Sequence, residues 1–259
     1  MTMRKILVLA ILALFWTGCA TTAENGVKGQ SIQRDEAQAR AHLSLGASHL
    51  RNGRLIQALK ELLDAEKYDP QNADVQNHLG LAYKELHKYP LAVRHIKQAL
   101  ALRENFPQAH NSLGTVYHAM KMYPEALAEF NIALSDILYP TPQYTHFNIG
   151  QVYLDQGMYE QALDAFKKAV EIAPGYSLAF NSIGRTYLAM NNLEEAVKVF
   201  KKAVEYSPNY AIAFFNLAET YLQMGQLEKA RENYKKVIEI APMTRLEEQA
   251  KKRLVELPE

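Results

Sequence analysis

A 34-residue period is the feature of this sequence that most restricts its fold. A small residue recurs at spacings of 34, 34, 36, 34 and 34 residues, at Gly46, Gly80, Gly114, Gly150, Gly184 and Ala218. Twelve residues later every segment has an alanine, and sixteen residues later each has a large apolar side chain: Leu62, Ile96, Phe130, Phe166, Phe200 and Tyr234. A fixed period of this length indicates repeated units, each of which buries its apolar face only by stacking on its neighbours.

The small residues also indicate what each unit contains. Two helices cross closely only where small residues replace bulky ones, and a proline ends the second helix of four units, at Pro70, Pro174, Pro208 and Pro242. The pattern resembles the tetratricopeptide repeat. The resemblance implies an all-α tetratricopeptide-repeat (TPR) solenoid of six helix-turn-helix repeats, followed by a capping helix at 245–259. The predicted repeats are 39–72, 73–106, 107–142, 143–176, 177–210 and 211–244.

The first 18 residues have the pattern of a bacterial lipoprotein signal peptide. Arg4 and Lys5 precede an apolar run, residues 6–16, that is too short to span a bilayer. The following "TGC" resembles a lipobox, although Trp16 stands where an aliphatic residue is usual. This resemblance implies a lipid on Cys19, a flexible tether over 19–38 and, with Ala20 next, the periplasmic face of the outer membrane. The alternative is an ordinary secreted protein with a stray cysteine.

One repeat junction differs from the others. Its spacing is 36 residues, and it contains "SDILYPTP", residues 135–142, with two prolines. Together with the lipobox and six repeats, an Asp-x-x-Tyr-Pro insertion at Asp136, Tyr139 and Pro140 resembles the type IV pilus biogenesis lipoproteins of the PilF/PilW/Tgl type, the pilotins. The sequence leaves open whether this insertion is a tolerated loop, a contact with a partner, or a device that changes the curvature of the repeats.

Composition and motifs favour a binding protein over an enzyme. The net charge of +1 gives no basic field for nucleic acid, and phosphate-loop, HExxH and G-x-S-x-G motifs are absent from the sequence. Eight histidines raise a metal hypothesis, but none forms an i,i+4 pair. His42, His110 and His146 share one repeat position and are interpreted as packing residues. We therefore expect no catalytic residues, no metal and no cofactor besides the lipid.

The first helices of the repeats provide the candidate binding surface. One stripe of positions is polar in repeats two and three and mainly apolar in repeats four to six. The candidate groove residues are Asn77, Asn111, Tyr144, Phe147, Leu178, Asn181, Arg185, Ile212 and Phe215. An apolar groove with Asn181 and Arg185 suits an extended or helical segment of a partner protein. The alternative is that these residues contact neighbouring helices.

The pilotin resemblance implies a lipidated chaperone that helps the pilus secretin reach the outer membrane and multimerise there. The partners expected are then the secretin subunit, other pilus assembly proteins and, through the lipid, a membrane. A lipoprotein adaptor for cell-wall hydrolases or division factors is the alternative function, because such adaptors also contain these repeats.

Overall fold

The computed structural model describes residues 33–258, and in that range the chain forms thirteen helices and no strand. They are α1 (33–51), α2 (Leu55–Tyr68), α3 (Ala73–Glu85), α4 (Tyr89–Leu102), α5 (Pro107–Ala119), α6 (Tyr123–Ser135), α7 (Pro142–Asp155), α8 (Tyr159–Ile172), α9 (Ser177–Ala189), α10 (Leu193–Tyr206), α11 (Ala211–Gln223), α12 (Leu227–Ile240) and α13 (Arg245–Glu256). The all-α TPR fold is confirmed. The predicted signal peptide, Cys19 and residues 20–32 of the tether lie outside the described residues.

The helices fall into two compact units, divided after Asn105. The N-terminal unit contains α1–α4, and its core includes Leu62, Val75 and Leu79. The C-terminal unit contains α5–α13, in which each helix packs against the next one along the chain. None of the helices in residues 33–258 is long and apolar enough to cross a membrane.

The residues that define the period meet inside each repeat. A Cβ atom added to Gly150 would lie 2.5 Å from the ring of Phe166, and one added to Gly184 would lie 2.6 Å from the ring of Phe200. Because these separations are far below van der Waals contact, a side chain at Gly150 or Gly184 would push the first helix away from the second. The large residue sixteen positions after each small one is therefore its packing partner, which explains the regularity of the sequence.

The start of α1 corrects the extent of the predicted tether. Residues 33–38, which the sequence assigned to a flexible tether, are helical. Asp35 and Glu36 favour helix there because carboxylates are stabilised near a helix N-terminus, and Glu36 also forms an i,i+4 ion pair with Arg40. Ala39 is fully buried, so packing begins at the first predicted repeat residue.

Helix α13 covers the last repeat. Thr244 caps its N-terminus by accepting from Glu247 N at 3.2 Å, and the Glu247 carboxylate accepts from Met243 N at 2.6 Å. Ala250 is fully buried against the repeat. Arg253 forms a two-pronged ion pair with Glu219 of α11. The helix thus shields the apolar face that a seventh repeat would otherwise cover.

Candidate partner-binding surface

Three exposed apolar side chains mark one side of the C-terminal unit, and we call them the apolar edge. Tyr144, Leu178 and Ile212 occupy the same position near the start of α7, α9 and α11, and their exposed fractions are 48, 50 and 50%. The 34-residue period repeats this position at each first helix. The apolar edge contains three of the predicted groove residues, and all three are available to a partner.

Aromatic rings beneath Tyr144 make this end of the apolar edge stiff. Tyr144 and Tyr176 meet edge to face with ring centroids 5.5 Å apart, and Phe147 lies 5.3 Å from Tyr176 and 5.6 Å from Phe166. Burial raises the pKa of Tyr176 to about 12, so its hydroxyl stays neutral over the physiological range. Phe147 is therefore a half-buried support for the surface.

The helices at the other end of the surface carry an aromatic ring, Phe215, and a positive charge, Arg185. Phe215 is half-buried and packs edge to face against Tyr234, with centroids 5.6 Å apart. Arg185, on α9, is exposed and forms no ion pair with the residues between 33 and 258. An exposed guanidinium beside apolar side chains can bind a carboxylate of a partner segment.

The predicted asparagines have a structural role instead of an open position in the groove. Asn181 is buried and accepts a hydrogen bond from Asn216 Nδ2 at 2.8 Å. Asn111 is half-buried and accepts from Thr145 Oγ1 at 2.9 Å and Asn148 Nδ2 at 3.0 Å. Each of these bonds joins the first helices of consecutive repeats, so Asn111 and Asn181 hold neighbouring repeats together.

Asn77, in the N-terminal unit, is also buried, so it offers no open contact for a partner. Its Oδ1 is the only buried side-chain nitrogen or oxygen in the described part of the chain that lacks a hydrogen-bond partner. The burial of Asn77 and Asn181 corrects the expectation that both line an accessible groove. Only a comparison of consecutive repeats in three dimensions identifies Asn216 as the hydrogen-bond partner of Asn181.

The three histidines that share one repeat position differ in their surroundings. His42 Nδ1 donates to Glu61 and His110 Nδ1 donates to Glu129, both at 2.7 Å. His146 has Ala165 at the corresponding place and lines a cavity of about 450 Å³ between α6, α7 and α8. Burial lowers the pKa of His146. Within residues 33–258, no three His, Cys, Asp or Glu side chains are grouped so that they could hold a metal ion.

The insertion between α6 and α7 forms an ordered turn. Tyr139 N donates to Asp136 O at 3.1 Å, and Leu138 N donates to the Asp136 carboxylate at 2.8 Å. The Tyr139 side chain is buried, and its hydroxyl is hydrogen-bonded to Thr145 Oγ1 at 3.2 Å. Asp136 and Tyr139 therefore build the turn, whereas Pro140 is exposed.

Two residues that the sequence reasoning passed over stand out in this turn. Ile137 and Leu138 have exposed fractions of 96 and 83%. At the matching turn positions three of the other junctions have Pro70-Gln71, Pro174-Gly175 and Pro208-Asn209. Aligning these dipeptides would have revealed the change from turn-forming residues to two aliphatic ones.

Comparisons with known proteins agree with this architecture. Tetratricopeptide repeat families match residues 39–62, 77–145, 144–176 and 211–243, and a TPR repeat family matches 184–225. Type IV pilus assembly protein PilF of Pseudomonas aeruginosa is 31% identical over 172 residues, which cover 66% of this chain and 68% of that protein.

Two solved structures of similar fold are those of PilF and PilW. The structure of Pseudomonas aeruginosa PilF has a TM-score of 0.66 and 19% identity, and the match covers 85% of this chain and 99% of that one. PilW, described as a widely conserved type IV pilus biogenesis factor, has a TM-score of 0.70 and 23% identity, with coverage of 82 and 97%. At these identities the structures show the shared fold.

Proposed function

This chain belongs to the PilF family of type IV pilus assembly proteins, and from that premise we propose that it is an outer-membrane pilotin, an assembly chaperone for the pilus secretin. A lipid on Cys19 anchors it to the periplasmic face of the membrane. The apolar edge and Arg185 then bind a segment of the secretin subunit until that subunit joins the multimer. The protein catalyses no reaction in this proposal.

The observation that carries the binding step is the apolar edge. Tyr144, Leu178 and Ile212 leave about half of three large apolar side chains exposed at one repeated position. Because Arg185 adds an unpaired positive charge on the same set of helices, the segment best suited to this surface presents apolar residues and a carboxylate. The lipobox pattern at Cys19 supports the anchor.

The first experiment measures the secretin in a bacterium with type IV pili from which this gene has been deleted. Detergent-resistant secretin multimers and total secretin monomer are compared by blot. We expect monomer without multimer, rescue by the wild-type gene, and no rescue by Cys19→Ser, which also moves the protein into the soluble periplasmic fraction. Unchanged multimers in the deletion strain would overturn the pilotin proposal and favour the cell-wall adaptor.

A paired substitution tests the apolar edge itself. Leu178→Ser with Ile212→Ser removes two half-exposed aliphatic side chains, each of which contributes about 1 kcal/mol on burial, so affinity falls roughly 30-fold. The matched control is Ile132→Ser with Ile172→Ser, two positions with 47% exposure on α6 and α8. We expect multimer loss with the first pair alone. Equal effects of both pairs would exclude the apolar edge as the binding surface.

A further inference from the structure

The fourth repeat lacks one member of a side-chain pair that the first three repeats share. In each of those repeats a residue of the first helix is hydrogen-bonded to the residue 19 positions later in the second helix, and one of the two is histidine. The pairs are His42 with Glu61, Gln76 with His95, and His110 with Glu129, at 2.7, 2.8 and 2.7 Å. In repeat four the same positions hold His146 and Ala165, and a methyl group cannot complete the pair.

The fifth repeat shows the other way in which this chain fills the two positions. They hold Phe180 and Val199, which are both apolar and pack against one hydrophobic cluster. Repeat four instead keeps the histidine without a partner, since His146 forms no hydrogen bond or ion pair within residues 33–258. The cavity of about 450 Å³ is lined by both His146 and Ala165, so open space lies where a glutamate side chain would reach the ring.

The charges around the cavity favour an anion at the end that His146 lines. Burial lowers the pKa of His146, Lys168 lowers it further, and Asp164 raises it by a smaller amount. The two charges on α8 therefore leave a positive potential at the ring, although they are paired with each other at 2.6 Å. The pKa of His146 shows no influence of Glu160, five residues before Ala165. The other polar side chains that line the cavity are Asn131 of α6, Tyr153 of α7 and Gln161 of α8.

A carboxylate is the ligand that fits this arrangement best. Glu61 and Glu129 supply the geometry, because each places a carboxylate oxygen 2.7 Å from the histidine Nδ1 of its own repeat. A ligand carboxylate in the same place would accept a charge-assisted hydrogen bond from the protonated ring of His146. The exposed amides of Asn131 and Gln161 can hydrogen-bond a peptide backbone, which favours a carboxylate carried by a protein.

We propose that the cavity beside His146 binds an aspartate or glutamate side chain of another protein, which completes the pair that Ala165 leaves open. Lys168 attracts that side chain, and Asn131 and Gln161 bind the backbone next to it. This site is separate from the apolar edge. Its tests do not use secretin assembly as a readout, so their outcome is independent of the pilotin proposal.

An analogue of a glutamate residue tests whether the cavity binds a carboxylate. The probe is N-acetylglutamic acid α-methylamide, with the neutral glutamine analogue as its control, added to the purified full-length protein. We expect the probe to raise the pKa of His146 in an NMR titration, with a Kd of about 10–100 mM for one charge-assisted hydrogen bond. His110 is the internal reference, because Glu129 already occupies its site. Equal shifts at both histidines, or none at His146, would overturn the proposal.

Two variants close the site in different ways. Ala165→Glu supplies an internal carboxylate, as Glu129 does in repeat three. His146→Phe with Ala165→Val copies the apolar pair of repeat five. Both should abolish the amide shifts that the probe causes around the cavity, and urea unfolding shows that each variant is folded. The double variant provides the test if Ala165→Glu does not fold, and amide shifts that persist in a folded variant would contradict the proposal.

Photocrosslinking in cells distinguishes a protein side chain from a free acid. A diazirine amino acid replaces Gln161 on the rim of the cavity, and the matched control is position 125, the equivalent place in repeat three. We expect an adduct from position 161 alone, to a different polypeptide with aspartate or glutamate in the crosslinked segment. Ala165→Glu should lower its yield at least about tenfold, as should the amide of that partner residue.

Three outcomes of the crosslinking would show that the proposal is wrong. The first is an adduct whose yield is the same in Ala165→Glu as in the wild type. The second is a response of His146 to the probe without any adduct from position 161, which would indicate a free acid as the ligand. The third is an adduct of twice the mass of this chain, which would indicate a second copy.

Discussion

Two kinds of repeat junction occur side by side in the C-terminal unit, and they share more than their sequences suggest. After α8 and α10, four residues lead to the next helix, and Tyr176 and Tyr210 each close a turn by donating to the residue three positions earlier. After α6 there are six residues, yet Tyr139 closes the same turn. The two additional residues, Pro140 and Thr141, follow the tyrosine instead of interrupting the turn.

The difference between the junctions lies in how the tyrosine is used. Tyr176 and Tyr210 directly precede the next helix and are half-buried. The two added residues separate Tyr139 from α7, and its side chain is buried with its hydroxyl against Thr145. The inserted residues therefore leave the turn itself intact but allow the buried Tyr139 side chain to hold it against α7. We call this a braced junction, in contrast to the ordinary junctions at Tyr176 and Tyr210. A braced turn is suited to present Ile137 and Leu138 in a fixed position.

The largest expected effect comes from removing the brace. Tyr139→Ala should lower the free energy of unfolding by about 3 kcal/mol, because it leaves a cavity where a buried ring was, and Tyr176→Ala should cost less because that ring is half-buried. Urea unfolding of the purified variants measures both. Tyr139→Phe is the control and should cost less than about 1 kcal/mol, since Thr145 keeps its hydrogen bond to Asn111. Equal costs for Tyr139→Ala and Tyr176→Ala would remove the distinction between the junctions.

A smaller effect on the free energy of unfolding is expected when the two central residues of the braced turn are replaced by those of an ordinary junction. Ile137→Pro with Leu138→Asn copies Pro208-Asn209 and should change the free energy of unfolding by no more than about 1 kcal/mol, because the replaced side chains are exposed and proline suits the first turn position. Urea unfolding again provides the measurement. A loss above about 2 kcal/mol would mean that the two aliphatic residues stabilise the fold.

The smallest expected effect is a change in the pKa of His146, which lines the cavity beside the same junction. Ala165→Glu places a carboxylate opposite His146, as Glu129 stands opposite His110, and should raise the His146 pKa, which burial now lowers. In the wild type the neutral ring is favoured, so the contribution of His146 to stability is present above its unfolded pKa and is lost as the pH falls. The substitution should reverse this trend. NMR titration of the imidazole resonances checks the shift, and an unmoved midpoint would contradict it.

The repeat fold could be predicted from the sequence because each small residue and its large partner sixteen positions later are in direct contact. Gly184 and Phe200 form such a pair, and a constraint that recurs in every unit leaves a visible period. The positions of the apolar edge also followed from the period, since Tyr144, Leu178 and Ile212 share one place in the repeat.

The polar details could not be predicted in the same way. Asn181 is a polar residue on a candidate binding helix, which suggested a contact with a partner protein. Its hydrogen-bond partner is Asn216 of the next repeat, and nothing in the sequence assigns this pair. The exposure of Ile137 and Leu138 was equally hidden, because aliphatic residues are ordinarily expected inside a protein. Both cases depend on which backbone turn or helix face a residue occupies, and hydrophobicity alone does not specify that.

The amide pairs between repeats have a consequence for how a chain of this kind can change by duplication or recombination. Asn111 bonds with Asn148 across repeats three and four, and Asn181 bonds with Asn216 across repeats five and six, whereas Gln151 bonds with Ser182 between these two modules. Exchange of a single repeat would leave a buried amide without its partner. Chimeras that exchange segments of two repeats, 107–176 or 177–244, as a whole therefore keep the matched amides within each module.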